Sequence, residues 1–354
     1  MRVVALGGAG ATGAVAARVA ANLPRVREVV IADRAGGARV DITDEKSLRD
    51  LLKDADVVLN TVGPFYRYGT TVLRAAIDTG THYLDICDDW QPTRDLLALD
   101  GSARAAGVRA VVGMGASPGA SNLLAVLAAR ELTDVDEVHT AWPADGDGDP
   151  AATAAVVHWM LQISGRIAVV ERGAITERPP LRPLELTLPS GATGTAHTVG
   201  HPEPLTFHTT FRPRAATTLM VAPAATIAYL DVLRHDIDTG RLTPDTAARA
   251  LVRPTPGRVL RSLTRHPAGP GTLPRFFALA TGGGHAVEAR LDHPTLLDDM
   301  AEATGLPLAL ALAQLDSVPP GVHAPEAAID PDRFFHDLAR HHPDAVPTIH
   351  RGRR

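Results

Sequence analysis

Short apolar runs alternate with helical stretches through the first third of the chain. The runs at 3–6, 28–32, 56–60, 82–86 and 108–112 have the length of buried strands. The stretches 11–22, 45–53, 69–79 and 91–106 between them have helical character. This alternation predicts a parallel, doubly wound α/β sheet. Ligands of such sheets bind outside the carboxyl ends of the strands, so residues just after each run are the candidates for chemistry. Beyond Val135 the pattern changes. Extended segments near 167–171, 184–188, 193–199 and 205–211 precede helical ones near 224–240 and 244–252. A hairpin around Gly282–Gly284 and helices near 295–315 and 331–341 follow. Strands followed by helices fit an α+β layer. The tail His350–Arg354 reads as a solvated end.

The first run leads into Gly7-Gly8-Ala9-Gly10-Ala11-Thr12-Gly13, and Gly8, Gly10 and Gly13 match the G-x-G-x-x-G phosphate turn. Gly8 permits a tight turn, Gly10 lets a pyrophosphate approach the backbone, and Gly13 lets helix and strand pack closely. Free N–H groups and the positive dipole end of the helix then face the phosphates, with Ala11 and Thr12 in its first turn. The second run ends at Asp33, 20 residues past Gly13 (33 − 13 = 20), where a ribose-binding carboxylate is expected. That acid favours NAD; Arg34 beside it keeps NADP as the alternative. Asp41 and Ile42 lie near the expected adenine, with capping of the next helix an equal role for Asp41. Asn60, Thr61, Val62 and Gly63 end the third run on the same edge.

Composition narrows the function classes. The chain has 354 residues, enough for two domains with substantial cores, and its net charge of −5 advertises no nucleic-acid surface. No apolar run approaches the roughly 20 residues that span a bilayer, and no signal-peptide layout precedes the first strand. A single cysteine, Cys87, suits a reducing cytoplasm. Asp145, Asp147 and Asp149 superficially resemble a calcium loop, but Pro150 and Val156 stand where glycine and glutamate are required. With no zinc-ligand spacing either, no metal is expected.

Acid–base candidates cluster after the third and fourth runs. Tyr66 and Tyr68 flank Arg67, which could hold a carboxylate in a two-pronged geometry. Asp85 could anchor a substrate ammonium or act as base, and Cys87 falls on the same strand face. His201, between Gly200 and Pro202 with Glu203 close by, is the natural base near neutral pH. Trp142 ends a strand-like segment.

Four stretches together resemble the saccharopine dehydrogenase-like family, which includes lysine 6-dehydrogenase and carboxynorspermidine dehydrogenase. They are the glycine turn, Asn60-Thr61-Val62-Gly63-Pro64-Phe65, Thr81-His82-Tyr83-Leu84-Asp85, and Gly115-Ala116-Ser117-Pro118-Gly119 with Asn122. Val199–Pro204 and Pro319–Glu326 add to the likeness. The resemblance implies a Rossmann domain over 1–120, an α+β substrate and dimerisation domain over 121–292, and C-terminal helices over 293–354 returning to the first domain. It implies NAD(P)-dependent chemistry at a C–N bond of an amino-acid-derived amine or imine. The substrate is then expected in a cleft between domains, reached by Tyr66, Asp85, Trp142 and His201, in a cytoplasmic homodimer. The rivals are a dinucleotide sensor without catalysis and a Rossmann oxidoreductase of another substrate class. No Tyr-x-x-x-Lys pair supports the latter, and Lys46 and Lys53 are the only lysines.

Overall fold

The computed structural model describes residues 1–144, 153–293 and 297–353; the acidic loop around Asp147 lies outside them. The chain forms two units, Met1–Leu123 with His293–Val346, and Leu124–Asp292 with Pro347–Arg354.

The first unit is built on a seven-stranded parallel sheet. Its strands are β1 (Arg2–Leu6), β2 (Glu28–Asp33), β3 (Ala38–Arg39), β4 (Val57–Asn60), β5 (His82–Asp85), β6 (Arg109–Val111) and, from the returning segment, β15 (Gly321–His323). The order β15-β6-β5-β4-β1-β2-β3 reverses direction between β1 and β4, which is the switch point of a doubly wound dinucleotide-binding sheet. All its pairings are parallel. Strands β1, β4, β5 and β6 are buried along nearly their whole length, which explains their nearly unbroken apolar runs. The helix Ala11–Ala20 leaves β1 and packs against Met300–Leu312 of the returning segment. A Cβ on Gly305 would lie 2.5 Å from the Thr12 carbonyl, so glycine sets how closely these helices cross. Asn122 bonds Glu326 at 2.8 Å and fastens that segment further.

The second unit holds nine strands among the described residues. They are β7 (Glu137–Pro143), β8 (Ile167–Glu171), β9 (Ala174–Arg178), β10 (Pro183–Thr187), β11 (Thr193–Thr198), β12 (Ala215–Val221), β13 (Phe277–Gly282), β14 (His285–Arg290) and β16 (Thr348–Arg353). The order is β10-β11-β12-β7-β13-β14-β16, with β8 against β12 and β9 against β8. Alternation along β12 divides the core. Met220 faces Met160, Ile227 and Leu230, whereas Leu219 and Val221 face Phe277 and Leu279. The β13–β14 turn has positive φ at Gly283 and Gly284 (57° and 78°), the backbone a two-residue hairpin needs.

Several sequence expectations change. Residues 205–211 belong to a helix, Glu203–Thr210, because Pro202-Glu203-Pro204 is a helix start that the apolar spacing after it conceals. The tail is β16, paired with β14 from Thr348↔Arg290 to Arg353↔His285. Its arginines suit an edge strand rather than a free end. The expected helix at 91–106 is divided into Trp90–Leu97 and Asp100–Ala105. Strands β9, β12 and β15 went unread in the sequence.

Candidate functional site

The carboxyl edge of the first sheet presents the glycine turn. The tight turn falls on Gly7, whose φ of 83° is left-handed, and not on Gly8 as the motif implies. Gly13 is the close-packing glycine: a Cβ there would meet the Gly7 carbonyl oxygen at 2.2 Å and Thr61 Oγ1 at 2.6 Å. At Gly10 a Cβ would meet only the Gly7 oxygen, at 3.3 Å. Ala9, Gly10 and Ala11 are exposed. No side chain caps the helix that starts at Ala11. An open glycine over an uncapped helix start fits a pyrophosphate. Asp33 stands beside the turn, accepting from Ala35 N at 3.0 Å and Ala9 N at 3.4 Å. Arg34 is exposed next to it. Thr61 closes the turn from β4 through Oγ1 to the Leu6 carbonyl, 3.0 Å. Gly63 is exposed and Val62 partly so.

Two other cofactor candidates have local duties. Asp41 accepts from Thr43 N at 2.9 Å and Thr43 Oγ1 at 2.7 Å, and these bonds hold its carboxyl below the ordinary range. Asp44, not Asp41, caps the next helix. Ile42 is buried in the core.

Asp85 lies inside the sheet edge rather than on it. It is fully buried, and both oxygens are engaged: Oδ2 by Tyr83 OH at 2.7 Å, Oδ1 by Gly113 N at 2.7 Å and Cys87 N at 3.0 Å. Asn60 donates to Tyr83 OH at 3.0 Å and accepts from Val62 N at 3.1 Å, so it too faces inward. Burial pushes the Asp85 carboxyl up to about 6, while the three bonds pull it down. Such a carboxylate ties strand ends together and cannot reach an ammonium in solvent. Cys87 is likewise buried, beside Thr93 Oγ1 at 3.4 Å, and burial foremost pushes its thiol up, which argues against a proton shuttle. Tyr66 is exposed on the short helix Phe65–Tyr68, its N–H bound by Asp89 at 3.0 Å. Arg67 is exposed and stacks on Tyr68, 5.5 Å from the ring centre.

The second unit holds a different polar group. The parallel register of β7 and β12 sets Thr140 opposite Thr218 and Trp142 opposite Met220. His201 and Glu203, at the start of the helix Glu203–Thr210, lie against these strands. His201 Nδ1 is 3.4 Å from Glu203 Oε2, and the imidazole lies under Trp142 with ring centres 5.4 Å apart. Glu203 also accepts from Thr218 Oγ1 at 3.3 Å, which accepts from Thr140 at 3.3 Å. Both members of the pair are buried. A carboxylate beside Nδ1 restrains the orientation of the imidazole. Sequence reading singled out His201 and Trp142 but saw Glu203 only as a neighbour. The helix-start pattern was the signal that would have turned its side chain inward.

Comparison with known proteins bears on both units. Residues 3–111 match the saccharopine dehydrogenase NADP binding domain. A saccharopine dehydrogenase-like oxidoreductase of Mus musculus is 45% identical over 51 residues, 14% of this chain and 12% of that protein. A lipid droplet localized protein of Caenorhabditis elegans is 44% identical over 46 residues, 13% of this chain and 11% of that protein. The matched stretches thus span about an eighth of these relatives or less. Apo saccharopine dehydrogenase (L-Glu forming) from Saccharomyces cerevisiae shares the fold, with a TM-score of 0.62 at 14% identity over 99% of both chains. The resemblance read from the motifs therefore holds, and the first unit carries a domain of the nicotinamide-dinucleotide-binding type.

Two predictions follow from the geometry. Gly13→Ala overpacks the turn and should lower stability by about 1–3 kcal/mol in urea unfolding. Gly10→Ala should change stability by less than about 0.5 kcal/mol and still weaken dinucleotide binding, measured by fluorescence titration. The second concerns Asp85. Its carboxyl near 6 in the fold exceeds the ordinary 3.8 of an open chain. Its contribution to stability is therefore complete below pH about 4 and is lost as pH rises through about 6, by about 3 kcal/mol. Asp85→Asn should flatten that part of the stability–pH curve.

Proposed function

We propose that this chain, whose first unit resembles the saccharopine dehydrogenase NADP-binding domain, is an NAD-dependent oxidoreductase acting at the C–N bond of an amino-acid-derived amine or imine. The observation that carries the reading is the buried His201–Glu203 pair under Trp142, since a dinucleotide sensor needs no oriented base. The dinucleotide is held by the backbone of Gly8 to Gly13, with Asp33 on the ribose and Asn60 to Gly63 closing the edge. When bound it supplies the hydride acceptor.

The chain's own task is the proton. A substrate ammonium has no lone pair to support an iminium, so it must first become neutral. His201 accepts that proton at Nε2, and Glu203 beside Nδ1 stabilises the resulting imidazolium. Trp142 excludes water from one face of the ring. Arg67 holds a substrate carboxylate, the role that the scarcity of lysine leaves to arginine, and Tyr66 offers a hydroxyl beside it. Water then hydrolyses the iminium, or, in reverse, an amine adds and His201 returns the proton. We assign Asp85 to holding the strand ends and not to the base. The setting that fits these roles is a cytoplasmic homodimer.

The test is turnover followed at 340 nm (the reduced-nicotinamide band) with amino acids, diamines and secondary amines, and with aldehyde plus amine in reverse. His201→Asn should lower kcat by about 10²- to 10⁴-fold and remove the imidazole's ionisation from the pH profile of kcat/KM, with dinucleotide affinity unchanged. Dinucleotide binding without turnover of any amine or imine would favour the sensor reading. Cofactor choice is tested separately. NAD should bind more tightly than NADP, and Asp33→Ser should shift the ratio toward NADP by about tenfold, ~1.4 kcal/mol. A wild-type preference for NADP, the cofactor in the matched domain's name, would transfer control of the pocket to Arg34.

A further inference from the structure

The helix Pro256–Ser262 has no buried residue. It is held by charge instead. Arg258 Nε lies 3.0 Å from Asp236 Oδ2, and Arg261 contacts both oxygens of Asp236 at 3.0 and 2.9 Å. Asp236 is buried, on the helix Ala224–Asp238. Arg258 and Arg261 are three residues apart and share one helical face. Val259, Leu260 and Leu263 must then project from the opposite face, and Leu260 and Leu263 are each 67% exposed. Eight large apolar side chains are exposed among the described residues, and four of them fall within 252–263. So dense a cluster marks a binding surface rather than the usual scatter.

The charge around it selects the occupant. No aspartate or glutamate occurs between Asp245 and Glu288, whereas six arginines do. Arg249 and Arg253 are exposed beside the apolar cluster, and Arg265, also exposed, is paired with Asp231 at 3.2 Å. Symmetric self-association would set this arginine-bearing surface against its own copy, like charge on like. The aliphatic side chains project as a knob and need an apolar medium that yields to them.

We propose that residues 252–265 dock this chain reversibly onto an anionic phospholipid surface, the leucines entering the headgroup boundary and the arginines meeting phosphate and carboxylate groups. No helix among the described residues is long and apolar enough to cross a membrane, so the contact is peripheral. The proposal is independent of the reaction assigned above.

The test is flotation of the full chain with vesicles of phosphatidylcholine alone and of an equimolar phosphatidylcholine–phosphatidylserine mixture. Binding is expected to the mixed vesicles only, and to weaken at high salt. The double variant L260S/L263S keeps the Asp236 clamp and should retain its thermal unfolding curve while binding about tenfold more weakly. Absence of binding to the mixed vesicles, or equal binding by the variant, would overturn the proposal. So would a wild-type dimer, seen by light scattering, that the variant converts to monomer, since the patch would then be a self-association face.

Discussion

A carboxylate with no exposed surface has to be satisfied by whatever surrounds it, and at Asp85 the surroundings are the ends of the sheet. Its two oxygens collect a phenol from its own strand and backbone N–H groups at Cys87 and Gly113. Tyr83 passes the constraint to Asn60 on the neighbouring strand, and Asn60 passes it to the backbone of Val62. Three consecutive loops at the carboxyl edge are thereby fixed by one side chain. Breaking any donor would leave a buried group unpaired, which costs more than the bond contributes when made. The rigidity of this edge depends on this arrangement.

The glycine turn is rigid for the opposite reason, which is the removal of side chains. At Gly13 and Gly7 there is no room for a Cβ, so strand, turn and helix approach one another as bare backbone. Gly10 differs in leaving space on the side away from the protein. Two of these glycines therefore maintain the fold, and one keeps a surface open. The motif separates Gly10 from Gly13, but only the local geometry moves the tight turn to Gly7.

What was legible in the sequence follows from this difference. The parallel sheet and the phosphate turn were readable because parallel strands are continuous apolar runs and glycine has few other reasons to cluster. The inward engagement of Asp85 was not legible because a position at a strand end is shared by catalytic and structural acids. Only the long-range bond from Gly113 N, 28 residues on, distinguishes them. Residues 205–211 were taken for a strand because Leu205, Phe207 and Phe211 also suit that spacing, and the proline start was outweighed. Strand β16 was missed because an edge strand needs only a weak, half-buried alternation, and its arginines mimic a solvated tail. Thr140 and Thr218 carried no signal at all, since their meeting is a consequence of sheet register 78 residues apart.

Two buried acids in this chain show how burial alone does not assign function. Asp85 is surrounded by donors that cannot ionise at working pH, so its environment is fixed and its own charge is disfavoured by burial. Glu203 accepts from Thr218 and also lies beside the His201 imidazole, a ring that can gain a proton. When that ring becomes cationic, the carboxylate gains an opposite charge at close range in a site with little water, where the interaction is strongest. Returning the proton reverses the gain. The pair therefore has two electrostatic states that differ by one proton. That coupling of charge to one proton, rather than burial or proximity to the sheet edge, is the physical ground of the proposal that His201 moves the proton.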